Sequence, residues 1–572
     1  MGASFWVSRL KFKGGQTIDL VKNSIVIFVG PNNGGKSTAL REISKGNKLP
    51  SQHKYIFDKI SFTSSGTKNE VEKMLRNRQL GDSYSFPDNI QMSRFGLLNK
   101  WEEATTQGWD NHVGILPFFV KEFDTKDRLL LVEPAPNIDL HERPHQNPIH
   151  IIKADTRKEE VFSRYFRKAF GEDVIVNHAA GEIIPLHVGT KPTITNGEDR
   201  VSGTYQQKLR RLPYLHDQGD GMKSFAGVFL SLYSEEYTVN IIDEPEAFLH
   251  PPQALLLGQM MGKELNKDKQ LFIGTHSEHL LKGLLDVASE RITMVRIERD
   301  KADNKINILN NVELQDISRD SLLRHSNVLD GLFHKRVVLV ESDSDSRFYN
   351  TLSTTLSESK NGQSLDLLFI QSGGKHRFPV VVRALKKLAV PIIAIGDFDF
   401  YHEENPAREV FEELGGNWGV IQSDFMKVKR AIDEKRPGLN PLQLKQEIDG
   451  IFLQISDNIM PDSKIKEIKN ALKRSSPWSE AKASGKSHLP NGEASKAFGR
   501  VQQAFEEKGL FVLEIGEIES FDKTVGGHGP RWVNEVLEKD ILRCPELNEA
   551  RIWVDRVILA ENDFSSKIAC GR

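Results

Sequence analysis

Residues 24–38 read SIVIFVGPNNGGKST. The run from Ile25 to Val29 is apolar at every position, as in a strand buried on both faces of a sheet. It passes without a break into Gly30-x-x-x-x-Gly35-Lys36-Ser37, after which a helix is expected to start near Lys36. Strand, Gly-rich turn and helix in that order form a phosphate cradle, because glycines let backbone N–H groups approach an anion and the helix N-terminus carries partial positive charge. The candidate nucleotide contacts are therefore Gly30, Asn32, Asn33, Gly34, Gly35, Lys36, Ser37 and Thr38. In this pattern Lys36 reaches the β and γ phosphates of ATP and Ser37 ligates Mg²⁺.

Further on, VNIIDEPEAFLHP ends an apolar run at Asp243-Glu244, and LFIGTHSEH ends another strand at His276. Asp243 can hold the Mg²⁺, Glu244 can polarise an attacking water, and the His276 imidazole can sense the γ-phosphate. Strand, helix and strand in succession suggest a parallel sheet. The set resembles the head domain of ATP-binding-cassette (ABC) ATPases of DNA repair and chromosome maintenance, where DEPE, a following LHP and a TH switch recur. That resemblance implies a signature segment upstream. Its best match is Gln218 to Ser224, with Gly219 and Gly221 as nucleotide contacts. The usual leading serine is Gly219 here if Gly221 is the signature glycine, which implies slow turnover or ATP as a conformational ligand. Such heads complete their site by pairing, so a homodimer or higher homo-oligomer is implied.

A second apolar strand leads into VLVESDSDSRFY, with Glu341 at its end and Asp345 one helical turn on. IIAIGDFDF places Asp397 and Asp399 two apart, on one face. Four carboxylates at adjacent strand ends repel one another unless cations intervene, and hard oxygen donors suit Mg²⁺ or Mn²⁺. The combination resembles a Toprim domain, the metal-binding fold of topoisomerases, primases and certain nucleases. The Gly-rich SGGKHRF between the acidic strands fits that likeness. So does LFVLEIGEIES, where Glu517 and Glu519 match the further acidic pair of the nuclease branch. The resemblance implies two-metal phosphodiester hydrolysis, with Glu341, Asp397 and Asp399 at its centre, and a cationic lysine near the C-terminus, for which Lys567 is the match.

The expected fold class is thus α/β: an ABC-type P-loop ATPase domain over 1–330, with an arm or insertion within about 51–211, followed by a Toprim (Rossmann-like) nuclease domain over 331–572 with a helical insertion at about 407–500. This architecture resembles the OLD (overcoming lysogenization defect) family, whose relatives act in bacterial defence against phages, alone or with a partner such as a retron reverse transcriptase with its attached DNA. At 572 residues the chain exceeds what one core usually organises. Two cysteines, Cys544 and Cys570, exclude a disulfide framework and a four-cysteine zinc site. The absence of a leader-like start and of any apolar run near ~18 residues points to a cytoplasmic location with no membrane segment. A net charge of -2 leaves nucleic-acid contact to local patches. Candidates are Lys464, Lys466, Lys469, Lys473, Arg474, Trp478, Lys482 and Lys486, the Lys375-His376-Arg377 turn, and Arg164, Arg167 and Lys168. The leading expectation is an ATP-gated, metal-dependent DNA endonuclease. A Toprim RNase acting on transfer RNA, or a non-cutting ATP-dependent nucleoprotein scaffold, are the alternatives.

Overall fold

A computed structural model describes residues 3–46, 49–76, 89–92, 97–100, 116–140, 145, 147–194, 198–233, 237–300, 303–309, 312, 314, 316–317, 320, 327–361, 365–435, 441–455, 459–473 and 477–559. The chain divides into two compact units, Met1–Arg324 and His325–Arg572.

In the first unit, Ile25–Val29 is a central strand of a six-stranded sheet, and all its residues are buried. Gln270–Gly274 lies parallel on one side of it and Ile292–Asp300 parallel on the other. Val239–Asp243 and then Val120–Phe123 extend the parallel part, while Asp303–Leu309 closes the other edge as an antiparallel strand. The parallel register brings the C-terminal ends of the phosphate-loop strand, the Asp243 strand and the Gly274 strand to one end of the sheet. An antiparallel sheet of Thr17–Asp19, Ser4–Phe12 and Phe57–Ser65 packs on the same core, which Phe5, Phe12 and Phe57 share with Val26, Phe28 and Phe272. One buried amide joins the two sheets: Gln270 Nε2 donates to Val7 O and Val21 O at 2.8 Å each, and Val7 N donates to Gln270 Oε1 at 2.9 Å. Within the stretch 51–211, Phe57–Ser65 and Val120–Phe123 are strands of these sheets, and the helix Thr156–Phe170 stacks Phe162 on Phe229 at 4.3 Å between ring centroids.

The second unit is built on a parallel sheet ordered Leu367–Gln371, Arg336–Val340, Ile392–Gly396 and Leu510–Val512. Open parallel sheets bind ligands beyond the carboxyl ends of their strands, and these ends carry Glu341, Ser372, Asp397 and the loop that reaches Glu517. Helices from Glu404–Glu413 to Glu493–Glu506 intervene before the last strand. They pack on an aromatic group in which Tyr401 meets Phe425, Phe498 and Phe505 at 5.4–5.9 Å. Among the described residues no helix is long and apolar enough to cross a membrane.

The helices Pro251–Glu264 and Glu278–Ala288 of the first unit cross at two glycines. A Cβ on Gly258 would collide with Leu280 O, and one on Gly283 with Leu255 O. Gly258→Val should therefore destabilise the first unit by about 1–3 kcal/mol, read as a lower denaturant midpoint; an unchanged midpoint contradicts this packing.

Candidate functional site

The phosphate loop owes its shape to a close approach. Gly30 has φ 138° and Gly35 φ 110°, and a Cβ on Gly30 would overlap Ile297 O of the neighbouring strand. Gly34 lies under the same carbonyl, with 2.7 Å left for a Cβ. Asn33 takes the left-handed conformation at φ 61°, which asparagine tolerates. The helix Lys36–Lys45 then starts with no side-chain cap, so its first N–H groups are left for an anion. Buried Lys36 folds back over the loop and donates to Gly30 O and Pro31 O at 2.9 Å each. Asn32 and Ser37 are exposed and Thr38 is half-buried.

The Ser37 hydroxyl hydrogen-bonds the Asp243 carboxylate. Burial pushes Asp243 above the usual carboxylate range, against the Ser37 hydrogen bond and the Lys36 charge. Glu244 follows at φ 47°, fixed by its N–H donating to Gly274 O at 2.8 Å, and its Oε1 lies 3.7 Å from His276 Nε2. An open cleft beside Asp243 and Glu244 is lined by Arg41, Glu122, Asp124 and Thr125 as well. A hydroxyl, a carboxylate and an ammonium around uncapped N–H groups suit a nucleotide triphosphate with a hard cation. Gly219 and Gly221 do not line this cleft; they start the helix Asp220–Leu232, where a Cβ on Gly221 would come 2.8 Å from Phe248 O.

Two residues here were missed by sequence reasoning. Arg128 is 0 % exposed and donates to Phe123 O, Asp243 O, Glu244 O and Thr125 Oγ1 at 3.0–3.3 Å, tying the Asp243-Glu244 backbone to the next strand. No local pattern marks it, because its link to Asp243 and Glu244 spans more than a hundred residues. Glu246, by contrast, sits in the quoted DEPE. Its Oε1 accepts from Thr275 Oγ1 at 2.7 Å and His276 N at 2.9 Å, so it sets the backbone that presents His276. Burial pushes its carboxyl up.

In the second unit the Gly-rich turn clamps Glu341, with Gly373 N and Gly374 N donating to its carbonyl at 3.1 and 3.2 Å. Asp397 N donates to Glu341 Oε1 at 3.3 Å. Glu341, Asp397 and Asp399 each bring a carboxylate oxygen within 4.8 Å of the others. Burial and the Asp399 charge raise Glu341 to about 7. Asp397, 9 % exposed, is pushed well up by burial and by Glu341. Asp345 accepts from Ser342 N at 2.9 Å and Ser342 Oγ at 2.8 Å at the start of the helix Asp343–Asn361, and burial raises it despite these bonds. Its charge acts on Glu341, and that of Glu519 acts on it.

That second group is Glu517, Glu519 and His528, again with ligand atoms within 4.8 Å. His528 Nδ1 lies 2.7 Å from Glu519 Oε1, which also accepts from Gly529 N at 2.7 Å. Burial and Glu519 raise Glu517. His528 is the third residue missed from sequence, since it stands nine positions from Glu519 on an irregular turn. Buried like charges with oxygen donors at both groups fit divalent cations, and the imidazole favours a transition ion such as Mn²⁺ at the second.

The proposed basic path is corrected at several points. Lys482 points inward, its Nζ 2.7 Å from Asp397 Oδ2 and 3.7 Å from Asp399 Oδ1. Lys375 lies 3.1 Å from Glu403 Oε1 and 3.5 Å from Asp399 Oδ2. Trp478, 5 % exposed, donates to Asp433 Oδ1 at 2.9 Å and offers no open face for a base. Arg167 pairs with Asp173, and Lys464 with Glu467 at 2.9 Å. These cations neutralise local acids, a stronger pull than a solvated helix face. Lys567, Cys570 and Arg474 lie outside the described residues.

Comparison with known proteins matches the two units separately. A family model described as AAA domain, putative AbiEii toxin, Type IV TA system, matches residues 25–282. One described as overcoming lysogenization defect protein-like, TOPRIM domain, matches residues 332–399. No curated protein matches the sequence. Among solved structures, the Smc head bound to the C-winged helix domain of ScpA is similar over 53 % of this chain and 98 % of that one, at 13 % identity and TM-score 0.33. The SMC head domain from Thermotoga maritima is similar over 54 % and 100 %, at 13 % identity and TM-score 0.29. The Pyrococcus furiosus Smc head with an extended coiled coil is similar over 55 % and 98 %, at 12 % identity and TM-score 0.31. The two domains support ATPase and Toprim nuclease activity, with use of a nucleotide and a divalent metal. The phosphate loop and Asp243 thus stand in a region matching an AAA-type ATPase domain and the acidic strand ends in one matching an OLD-like Toprim domain, so the chain carries an ATPase domain followed by a Toprim domain.

Proposed function

We propose that this protein is an ATP-regulated, divalent-metal-dependent DNA endonuclease serving bacterial defence against phages. The observation that carries the reading is the pair of separate ligand groups, Glu341/Asp397/Asp399 and Glu517/Glu519/His528, beyond the carboxyl ends of the second sheet's strands. Two cations held there, Mg²⁺ or Mn²⁺, supply an activated water and charge stabilisation for a leaving oxygen. The protein's own part is to gather these acids at strand ends, where burial and mutual repulsion push them up and so favour a compensating cation beside a phosphodiester. The ATPase unit gives the control. Ser37 and Asp243 hold the nucleotide's Mg²⁺, Lys36 its phosphates, and Glu244 with His276 the water and γ-phosphate. Gly219 and Gly221 serve the nucleotide of a second copy, so the working form is a homodimer or larger.

Plasmid cleavage with Mg²⁺ or Mn²⁺, with and without ATP, tests this. Wild type should cut, and Asp397→Ala with Asp399→Ala should lose at least about 10³-fold, as expected when a two-metal site is emptied. Lys36→Ala should still bind divalent metal but lose the effect of ATP. Cleavage that survives the double substitution overturns the reading, and cleavage of transfer RNA in place of plasmid replaces DNA with RNA as the substrate.

His528→Ala supplies a separate check. Losing an imidazole should raise the Mn²⁺ needed for half-maximal cleavage by about tenfold or more, and the Mg²⁺ requirement by less. Equal shifts for both ions would remove His528 from the ligand set.

A further inference from the structure

Lys482 comes from the helical segment inserted between the third and fourth strands of the Toprim sheet, and yet its ammonium lies at the centre of the acidic group. It is 2.7 Å from Asp397 Oδ2 and 3.7 Å from Asp399 Oδ1, and its charge acts on Glu341, Asp345 and Glu517. The backbone beneath it cannot drift. Lys482 lies on the helix Pro477–Ser484, which continues into Gly485–His488. A Cβ on Gly485, at φ 59°, would collide with Glu514 O, and a Cβ on Gly516, at φ 117°, with Lys482 O. Lys486 N donates to Glu514 O at 2.7 Å, and Ser520 Oγ to Ala483 O at 3.2 Å. Gly516 O in turn accepts from Phe398 N at 2.7 Å, between the two aspartates. The inserted helix is thus bolted through glycine contacts to the loop that carries Glu517 and Glu519, and only the flexible lysine side chain can leave.

We propose that Lys482 is a tethered counter-cation: it occupies the Asp397 oxygen that a divalent cation needs and stands beside Asp399, holds the acidic centre together in the absence of metal, and must be displaced for metal to bind. It is a positioning residue, and through it the inserted helices set the metal affinity of the site. The physical ground is like-charge exclusion. An ammonium in hydrogen-bond contact with Asp397 repels a second cation arriving at the same oxygens, and its removal leaves the carboxylates repelling one another. This deepens the metal-dependent reading given above and rests on it.

The test is a Mn²⁺ titration of the full chain without nucleic acid, followed by the electron paramagnetic resonance of free Mn²⁺, for wild type, Lys482→Met and Lys482→Gln. Both variants should bind Mn²⁺ at least about tenfold more tightly than wild type, since a neighbouring positive charge has gone. Without metal they should melt at lower temperature than wild type, and saturating Mn²⁺ should close that gap. Unchanged or weaker Mn²⁺ binding overturns the proposal, because a lysine that merely props up the site would loosen the ligands when removed. If Lys482→Met fails to fold without metal, Lys482→Gln, which keeps a donor and drops the charge, carries the titration. The readout contains no cleavage step. Tighter Mn²⁺ binding in a protein that cuts nothing sinks the endonuclease and leaves the counter-cation standing, and the reverse pair of results does the opposite.

Discussion

Electrostatic repulsion among buried carboxylates is the constraint around which the second unit is organised. Glu341, Asp345, Asp397, Asp399, Glu517 and Glu519 gather beyond the ends of parallel strands, and burial pushes Glu341, Asp345, Asp397 and Glu517 up. A group of this kind persists only with compensating cations. Within the chain that compensation comes from Lys482 and Lys375 at the first group, while at the second the His528 imidazole meets Glu519. Each compensating residue lies on a different segment, so the acidic centre ties together the glycine-rich turn, the inserted helices and the loop after the last strand.

The ATPase unit solves a related problem with backbone in place of side chains. Its anion site depends on a loop pressed so closely to Ile297 that two positions admit no Cβ. Of its acids, Asp243 and Glu246 are held by hydrogen bonds from Ser37, Thr275 and the His276 backbone. Arg128 adds a fully buried guanidinium with three hydrogen bonds to main-chain carbonyls, two of which fix where Asp243 and Glu244 stand. Burying such a group is costly unless its donors are met. Its placement therefore depends on the whole sheet being assembled.

Much of this was legible in one dimension because the chemistry is local. A phosphate cradle needs glycines, a lysine and a hydroxyl within a few consecutive positions, and strand ends advertise themselves as apolar runs that stop at an acid. Asp243, Glu341 and Asp397 were readable in that way, and the Glu517/Glu519 pair through its likeness to the Toprim nuclease pattern. The charged patches were not. A lysine-rich stretch such as KIKEIKNALKRSSPWSEAKASGKSH carries no mark that separates a solvated cation from one aimed at a carboxylate. Lys464 pairs with an acid on its own helix, whereas Lys482 reaches across to the strand ends.

The sequence by itself determined the two α/β units, the order of their motifs and the oxygen-donor character of both sites, since each follows from residues adjacent along the chain. Tertiary structure alone decided which distant groups complete those sites: Arg128 under the Asp243 backbone, His528 beside Glu519, and Lys482 among the aspartates. The physical reason is that charge compensation acts through space over a few ångströms, and only the folded chain brings residues nine to more than a hundred positions apart within that distance.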